Sequence, residues 1–226
     1  PAHMPAIPGY EFAATAMPAR EVAGDLYDFI RLDPAHIGIS IGDVSGKGLP
    51  AALLMAHIQA SVRDVAPEAS DAGSCLTMLN QRLVVSTAPE KFVTLVYGIL
   101  DSRDHTFRYC NAGHNPPYLV SPGGELRQLE AGGTILGIVD GMEYTEQSMV
   151  FAPGDMLVLY TDGISEAMNV RKELLGDERL QEICIGQQAM PASAVRDTIL
   201  DAVMKHQGGE LAADDMTVLV ICRLPA

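Results

Sequence analysis

The stretch ISIGDVSGKGLPAALLMA, residues 39–56, contains the end of a strand, a glycine-rich turn and the start of a helix. Ile39 and Ile41 alternate with small residues, which is typical of a buried strand, and Pro50 suits the first turn of a helix. Because side chains alternate between the two faces of a strand, Asp43 shares the face of the two isoleucines. The sequence therefore places a carboxylate at the end of a buried strand, where it could bind a ligand.

The composition predicts a folded, acidic protein. The chain has 226 residues, of which 48% are hydrophobic, enough for one large domain or two small ones. Its formal net charge is −14, and a charge of this sign repels nucleic acid and anionic membrane surfaces. Every apolar stretch is shorter than the roughly 20 residues that a membrane helix needs, and no secretory signal is visible. We expect a cytoplasmic protein whose partners include neither nucleic acid nor membrane.

The cysteines indicate a reducing compartment. Four are present, far apart and without a CxxC pair: Cys75, Cys110, Cys184 and Cys222. This spacing favours reduced thiols in the core over a disulfide framework or a zinc site. An isolated cysteine commonly packs as a small hydrophobic residue.

Hydrophobic periodicity predicts an α+β chain. The predicted strands cover residues 10–17, 26–33, 36–44, 92–101, 106–113, 116–121 and 214–224, with a further strand inside 152–163. The predicted helices cover residues 49–65, 71–86, 177–186 and 191–206. Short strands separated by turns that contain Gly or Pro indicate hairpins and antiparallel sheets, and helices in pairs indicate layers that cover the sheets.

Two more aspartates follow the pattern of Asp43. By strand alternation Asp162 shares the face of Tyr160, and Asp214 lies on the apolar face of the last strand, which favours it over Asp215. Two carboxylates about 5 Å apart repel by roughly 3 kcal/mol at an effective dielectric constant near 20, so converging carboxylates need a proton or a cation between them. A hard divalent cation such as Mg²⁺ or Mn²⁺ suits these oxygen ligands. The alternative is that each aspartate only caps a turn or a helix, and parity alone leaves both open.

Seven motifs occur in a fixed order along the chain: PAREVAGDLYDF, IGDVSGKGLPAALLMA, FVTLVYGILD, YCNAGHNPPYLV, LGI, GDMLVLYTDGISEAMN and ADDMTVLVI. Over residues 10–223 they resemble the bacterial protein phosphatase 2C-like (PPM) Ser/Thr phosphatases, most closely the SpoIIE/RsbU type. The resemblance implies an α-β-β-α sandwich, with two central antiparallel sheets flanked by helix pairs and a two-metal site at one edge between the sheets. It implies a single catalytic domain over residues 9–226. Residues 1–8 form a lead segment whose PAHM start looks like an expression remnant.

The activity implied by the resemblance is hydrolysis of phosphoserine or phosphothreonine on a protein by water that two Mn²⁺ or Mg²⁺ ions activate, with a third ion as an option. The implied substrate is a small phosphorylated regulator, such as a STAS-type anti-sigma-factor antagonist in a partner-switching pathway. An upstream sensor or receiver domain is implied in the full-length protein, and a homodimer is left open.

Carried over motif by motif, the resemblance assigns as metal ligands Asp25, Asp43, the backbone carbonyl of Val44, Asp162 and Asp214. Asp43 is the implied bridging ligand, and Asp43, Asp162 and Asp214 are the implied catalytic carboxylates. Asp25 is assigned by the motif alone. By strand alternation Asp28, and not Asp25, lies on the same face as the apolar residues of its strand, so Asp28 remains the rival ligand.

Four further residues each have two interpretations. Glu166 lies where related enzymes can hold the third ion, or is a carboxylate at a helix start. Arg20 resembles the phosphate-binding arginine of the eukaryotic relatives, or is a surface arginine. Lys47 either faces the substrate phosphate or docks the SGKG loop. For His114, in NAGHNPP, we predict a structural role in a turn rather than general-acid chemistry.

Two other functions compete with the phosphatase. A catalytically silent module of the same fold would bind phosphoprotein, but it would be expected to lack a ligand, and all four aspartates are present. A hydrolase of small phosphoesters would be distinguished by comparing a phosphopeptide with metabolite phosphates.

Overall fold

The protein is described by a computed structural model that covers residues 1, 3–88, 90–130 and 132–225. Within these ranges the chain forms, in order, β1 (Tyr10–Met17), β2 (Leu26–Arg31), β3 (His36–Val44), α1 (Leu49–Val65), α2 (Ala72–Ser86), β4 (Val93–Asp101), β5 (Thr106–Ala112), β6 (Tyr118–Val120), β7 (Leu126–Gln128), β8 (Gln147–Val150), β9 (Met156–Tyr160), α3 (Asp162–Ser165), α4 (Asp177–Ile185), α5 (Ala192–Gln207) and β10 (Met216–Arg223).

Each predicted helix and strand is present, although the last strand begins at Met216 rather than at residue 214, and the structure adds β7, β8 and α3. These three elements have only three or four residues each. Such short segments contain too few residues to show a period in the sequence.

The chain divides into two compact units. The first contains residues 1, 22–114 and 130–151, of which residues 89 and 131 lie outside the described ranges. Its five-stranded sheet has the order β2-β3-β4-β5-β8, in which all neighbours are antiparallel. Helices α1 and α2 pack on one face of this sheet. Their buried side chains include Ile58, Val62, Leu76, Leu79 and Leu83, and they meet alternate residues of β4, which are Val93, Leu95, Tyr97 and Ile99.

The second unit contains residues 2–21, 115–129 and 152–226, of which residues 2 and 226 lie outside the described ranges. Its sheet has the order β1-β10-β9-β6-β7, again with all neighbours antiparallel. Helices α4 and α5 pack on one face. Their side chains Leu180, Cys184, Val195, Ile199 and Val203 meet alternate residues of β10, which are Met216, Val218, Val220 and Cys222.

The two long helices of the first unit begin by different local devices. Pro50 occupies the first turn of α1, where its missing N–H is not needed. At the start of α2 the Asp71 carboxylate accepts the Ser74 N–H at 2.7 Å, while the Ser74 hydroxyl accepts the Asp71 N–H at 3.0 Å. This reciprocal capping box satisfies two backbone donors and fixes the direction of α2.

The predicted fold class is confirmed, since each unit is an antiparallel sheet flanked by a helix pair. The four cysteines are buried free thiols, as the sequence predicted. No helix within the described ranges is long and apolar enough to span a bilayer. That residues 9–226 act as a single catalytic domain stays a prediction.

Candidate metal centre

Asp43 lies near the end of β3, on the face that the alternation predicts. Ile39 and Ile41 are fully buried, while Asp43 is half-buried and pairs in register with Thr94 of β4. The next residue, Val44, packs in the core beneath α1 and α2. Because neighbouring side chains of a strand point in opposite directions, the Asp43 carboxylate points away from those helices.

The segment that carries Asp25 lies against the end of β3. A Cβ atom on Gly24 would be 3.4 Å from the Val44 carbonyl oxygen and 3.5 Å from Asp43 Oδ1. Asp25 follows directly and is 5% exposed. Within the first unit, the structure therefore brings the Asp25 segment next to two of the predicted oxygen ligands, Asp43 and the Val44 carbonyl.

Asp28, the rival of Asp25, forms an ion pair with α1. Its carboxylate is 1% exposed and accepts two hydrogen bonds from Arg63, one from Nε at 2.5 Å and one from Nη2 at 2.8 Å. The hydrogen bonds that Arg63 donates to this carboxylate, and the negative charge of Asp28, raise the pKa of Arg63. Asp28 therefore faces the helices, on the side of the sheet opposite to the Asp43 carboxylate.

The loop after Asp43 is held by a residue that the sequence analysis missed. Lys91 donates a hydrogen bond from Nζ to the Ser45 carbonyl at 3.1 Å, and the Ser45 hydroxyl accepts the Phe92 N–H at 3.0 Å. Lys47 is exposed. The antiparallel pairing of β3 with β4 is the signal that could have found Lys91, because it places the residues before β4 beside those after β3.

His114 is held by three hydrogen bonds close to the same strand end. Its Nδ1 lies 2.8 Å from Thr94 Oγ1, and its backbone N–H donates to Asn111 Oδ1 at 2.7 Å. The Asn111 amide donates back to the His114 carbonyl at 3.0 Å. The side chain is buried. This geometry agrees with the predicted structural role of His114.

In the second unit, Asp162 does not lie in the strand in which the alternation of side chains placed it. Strand β9 ends at Tyr160, and Asp162 is the first residue of α3. The backbone carbonyl of Asp162 accepts the Glu166 N–H at 2.7 Å. Thr161 extends the pairing with β10, donating its N–H to the Thr217 carbonyl at 3.0 Å and accepting the Thr217 N–H at Oγ1 at 2.9 Å. The period changes from strand to helix at Asp162, so strand parity does not decide where its carboxylate points.

Asp214 also lies outside its strand, two residues before β10. Gly163 packs directly on the Asp214–Asp215 backbone, because a Cβ atom there would overlap with the Asp215 carbonyl oxygen. Asp214 Oδ1 accepts the Asp215 N–H at 3.0 Å, and Asp215 Oδ1 accepts the Ala19 N–H at 2.7 Å. The second unit thus brings the Asp162 and Asp214 segments together, while the Asp215 carboxylate binds the chain that leaves β1.

The two remaining candidates of the second unit are exposed. Arg20 follows Ala19, the residue that is bonded to Asp215. Glu166 is the C-cap of α3, so its interpretation as a carboxylate at a helix start is wrong.

The donors at these positions are carboxylate and carbonyl oxygens, which are the ligands that Mg²⁺ and Mn²⁺ prefer. Their chemistry therefore fits the implied ions. Within each unit taken by itself, the described residues contain no group of three or more His, Cys, Asp or Glu side chains that could hold a metal ion. Each unit, described by itself, contains one pair of neighbouring aspartate segments.

Comparison with known proteins identifies the class. Residues 33–224 match the family model described as stage II sporulation protein E (SpoIIE). The chain therefore belongs to the SpoIIE family, as the motifs indicated. It is 31% identical over 214 residues to the phosphoserine phosphatase RsbU of Bacillus subtilis and 27% identical over 250 residues to protein IcfG of Synechocystis. The alignments cover 94% and 99% of this chain, but only 63% and 39% of those relatives.

Solved structures show the same fold. The chain superposes on the SiaA-PP2C domain of Pseudomonas aeruginosa with a TM-score of 0.84 at 21% identity, covering 93% of this chain and 85% of that one. The PP2C phosphatase domain of SpoIIE from Bacillus subtilis, solved with a fragment of its regulatory domain, gives a TM-score of 0.83 at 21% identity and coverages of 94% and 63%. The fold is therefore that of the PP2C phosphatase domains.

Proposed function

We propose that this chain is a metal-dependent protein phosphatase that hydrolyses phosphoserine or phosphothreonine on a regulatory protein. The observation that carries the proposal is that each unit of this SpoIIE-family chain packs two aspartate segments together. Gly24 packs beside Asp43 in the first unit, and Gly163 packs on the Asp214–Asp215 backbone in the second. The name of the relative RsbU, a phosphoserine phosphatase, supports the same chemistry.

The proposed metal ligands are Asp25, Asp43, the carbonyl of Val44, Asp162 and Asp214, for two Mn²⁺ or Mg²⁺ ions. A magnesium complex among the solved structures of the same fold, that of RsbX, supports this choice of ion. When bound, the ions supply a more acidic water and neutralise charge on the phosphoryl group. The ion pair of Asp28 with Arg63 supports Asp25 over Asp28, because that pair already neutralises the Asp28 carboxylate.

The remaining side chains of the site have proposed roles in positioning. Lys91 and Thr94 hold the loop and strand around Asp43, through the Ser45 carbonyl and the His114 ring respectively. Arg20 and Lys47 are exposed cations that can meet the substrate phosphate, and Glu166 is the proposed ligand of a third ion.

The substrate we propose is a phosphorylated STAS-type anti-sigma-factor antagonist in a partner-switching pathway. The support comes from the names of similar proteins, which include RsbU and a structure of the RsbU and RsbW domains of one Mycobacterium tuberculosis protein. Because the curated relatives are longer than the match, an upstream sensor or receiver domain is part of the proposal. The cytoplasmic location stays a prediction.

Hydrolysis of p-nitrophenyl phosphate tests the activity. We expect turnover in millimolar Mn²⁺, none in EDTA, and none in Asp43→Ala, while Asp201→Asn, an exposed acid on α5, keeps wild-type rates. Calorimetry with Mn²⁺ is run on the same samples. Binding of Mn²⁺ without turnover would indicate a domain that awaits an activator. If the chain neither binds Mn²⁺ nor hydrolyses p-nitrophenyl phosphate, the mechanism is contradicted and the silent phosphoprotein-binding module is favoured.

A further inference from the structure

A tight hairpin over residues 168–174 follows α3. Met168 and Leu174 face each other across an antiparallel bridge. Asn169 organises the turn, since its Oδ1 accepts the N–H groups of Arg171 at 2.8 Å and Glu173 at 3.1 Å, and its own N–H donates to the Glu173 carbonyl at 3.0 Å. These bonds make the hairpin an ordered structure rather than a loose connection.

The hairpin is fixed to the helical turn that begins at Asp162. The Leu175 N–H donates to the Ala167 carbonyl at 2.9 Å, and the Gly176 N–H donates to the Ser165 carbonyl at 2.8 Å. Ser165 is the last residue of α3, whose first residue is Asp162. A molecule held by the hairpin is therefore held at a fixed offset from a proposed metal ligand.

The other side of the hairpin is fastened to the end of α5 and the loop after it. His206 Nε2 lies 3.0 Å from the Glu173 carbonyl oxygen, and Lys172 Nζ lies 3.4 Å from Glu210 Oε2. A methyl carbon of Val170 is 3.8 Å from the position that a Cβ would take on Gly208. Attachment on two sides leaves the hairpin little freedom to move as a body.

Despite this order, the hairpin leaves large apolar side chains in solvent. Val170 is 63% exposed and Leu174 48%, and Leu211, next to the ion-pair partner Glu210, is 93% exposed. Met168 is also exposed. Scattered single apolar residues need no explanation, but several on one ordered segment indicate an interaction site.

The charge of the hairpin is opposite to that of the chain. The chain has a net charge of −14, whereas residues 168–174 contain Arg171, Lys172 and Glu173. The Glu173 carboxylate accepts a hydrogen bond from the Asn169 amide at 2.8 Å. Within the described ranges Arg171 takes part in no ion pair, so its guanidinium remains available to a partner carboxylate, which it can bind with two parallel hydrogen bonds.

We propose that the hairpin surface, defined as Met168, Val170, Arg171, Lys172, Leu174 and Leu211, docks the phosphoprotein substrate. The docked face of that substrate is apolar, with an acidic side chain opposite Arg171. The proposal rests on the proposed function, because the hairpin is attached to the α3 turn that carries Asp162. It adds the part of the enzyme that recognises protein, which a small phosphoester does not touch.

The test uses phosphorylated casein, an acidic phosphoserine protein with apolar surface, beside p-nitrophenyl phosphate. We expect Val170→Ser combined with Arg171→Glu to lower kcat/KM for phosphocasein about tenfold, through KM, because buried apolar and Arg anchors dominate interface energies. Turnover of p-nitrophenyl phosphate should stay within about twofold, as expected when the small substrate lacks the docking contacts. The matched control combines Val150→Ser, at a residue that is likewise 63% exposed, with Arg179→Glu.

The docking proposal would be overturned if the control double variant lost as much kcat/KM for phosphocasein as the hairpin double variant, or if the hairpin double variant lost none. So would a wild-type chain that hydrolyses p-nitrophenyl phosphate but neither binds nor dephosphorylates phosphocasein. If the double variant Val170→Ser with Arg171→Glu also loses p-nitrophenyl phosphate turnover, the single variant Arg171→Gln is measured instead. A loss of activity confined to phosphocasein then supports docking. An equal loss on both substrates overturns it. Direct binding of phosphocasein separates the two proposals. Binding that depends on the hairpin, in a chain that neither binds Mn²⁺ nor hydrolyses either substrate, keeps docking and rejects the phosphatase.

Discussion

Gly163 and the carbonyl oxygen of Asp215 are in such close contact that no side chain fits at position 163. This contact sets the spacing between the turn that begins at Asp162 and the loop that contains Asp214. Gly163 does not have a positive φ, so the requirement for glycine comes from space alone.

Gly163→Ala should therefore separate the Asp162 and Asp214 segments. We expect a loss of at least tenfold in Mn²⁺-dependent p-nitrophenyl phosphate turnover and a fall of about 1–3 kcal/mol in the free energy of unfolding, the usual cost of overpacking. Activity assays and urea unfolding measure the two effects. Gly123→Ala is the control, because the nearest atom to its added Cβ is 3.9 Å away. Wild-type turnover in Gly163→Ala would show that the contact does not position the ligands.

The pair of Asp28 and Arg63 predicts a change in stability without a change in metal binding. Arg63→Met leaves a buried carboxylate without its cation, so we expect it to lower the free energy of unfolding by about 2–4 kcal/mol. This loss is smaller than for a fully buried ion pair, because Arg63 is itself half-exposed to solvent. Combining it with Asp28→Asn should recover part of the loss. Mn²⁺ affinity by calorimetry should survive Asp28→Asn but not Asp25→Asn. If instead Mn²⁺ affinity were lost in Asp28→Asn and kept in Asp25→Asn, Asp28 would be the ligand.

The two lysines near the loop after Asp43 should differ in their effects. Lys91→Met removes the hydrogen bond to the Ser45 carbonyl, and we expect a threefold to tenfold weaker Mn²⁺ affinity, about the net contribution of one typical hydrogen bond. Lys47→Met should leave Mn²⁺ affinity unchanged and raise KM for p-nitrophenyl phosphate if Lys47 meets the phosphate. An unchanged KM would assign Lys47 to the loop alone.

We expect the stability of the fold in acid to depend on a cluster around His36. Its Nδ1 lies 2.6 Å from Asp33 Oδ2, and its Nε2 lies 3.0 Å from Asp101 Oδ2. The hydrogen bond with His36, with backbone bonds, lowers the pKa of Asp33 from 3.8 to about 2. Hydrogen bonds from Arg103, with the charge of His36, lower the pKa of Asp101 as well.

Because the folded pKa of Asp33 lies below the unfolded one, its ionised form stabilises the fold fully above pH 3.8. That contribution is lost as the pH falls from 3.8 through about 2. Asp33→Asn should flatten the pH dependence of the unfolding free energy in this window, measured by urea unfolding at closely spaced pH values. Asp201→Asn serves as the control. A slope equal to the wild type in Asp33→Asn would contradict the prediction.

Much of the fold could be predicted because its signals are local. The period of β3 and α1 and the cap chemistry around Pro50 depend on neighbouring residues, and their predicted bounds agree with the structure. The direction of Asp43 follows from the same alternation. The family also followed from sequence, because its motifs are short segments read in order.

Three features of the candidate site depended on tertiary contacts. Asp162 begins a helical turn of four residues, too short to show a helical period, so strand parity failed there. Asp28 pairs with Arg63, 35 residues away, and Lys91 reaches Ser45 across 46 residues. Alternation and capping act between neighbours and can be read along the chain. Ion pairs and loop contacts between distant residues form only when strands and helices pack, so only the tertiary structure decided them.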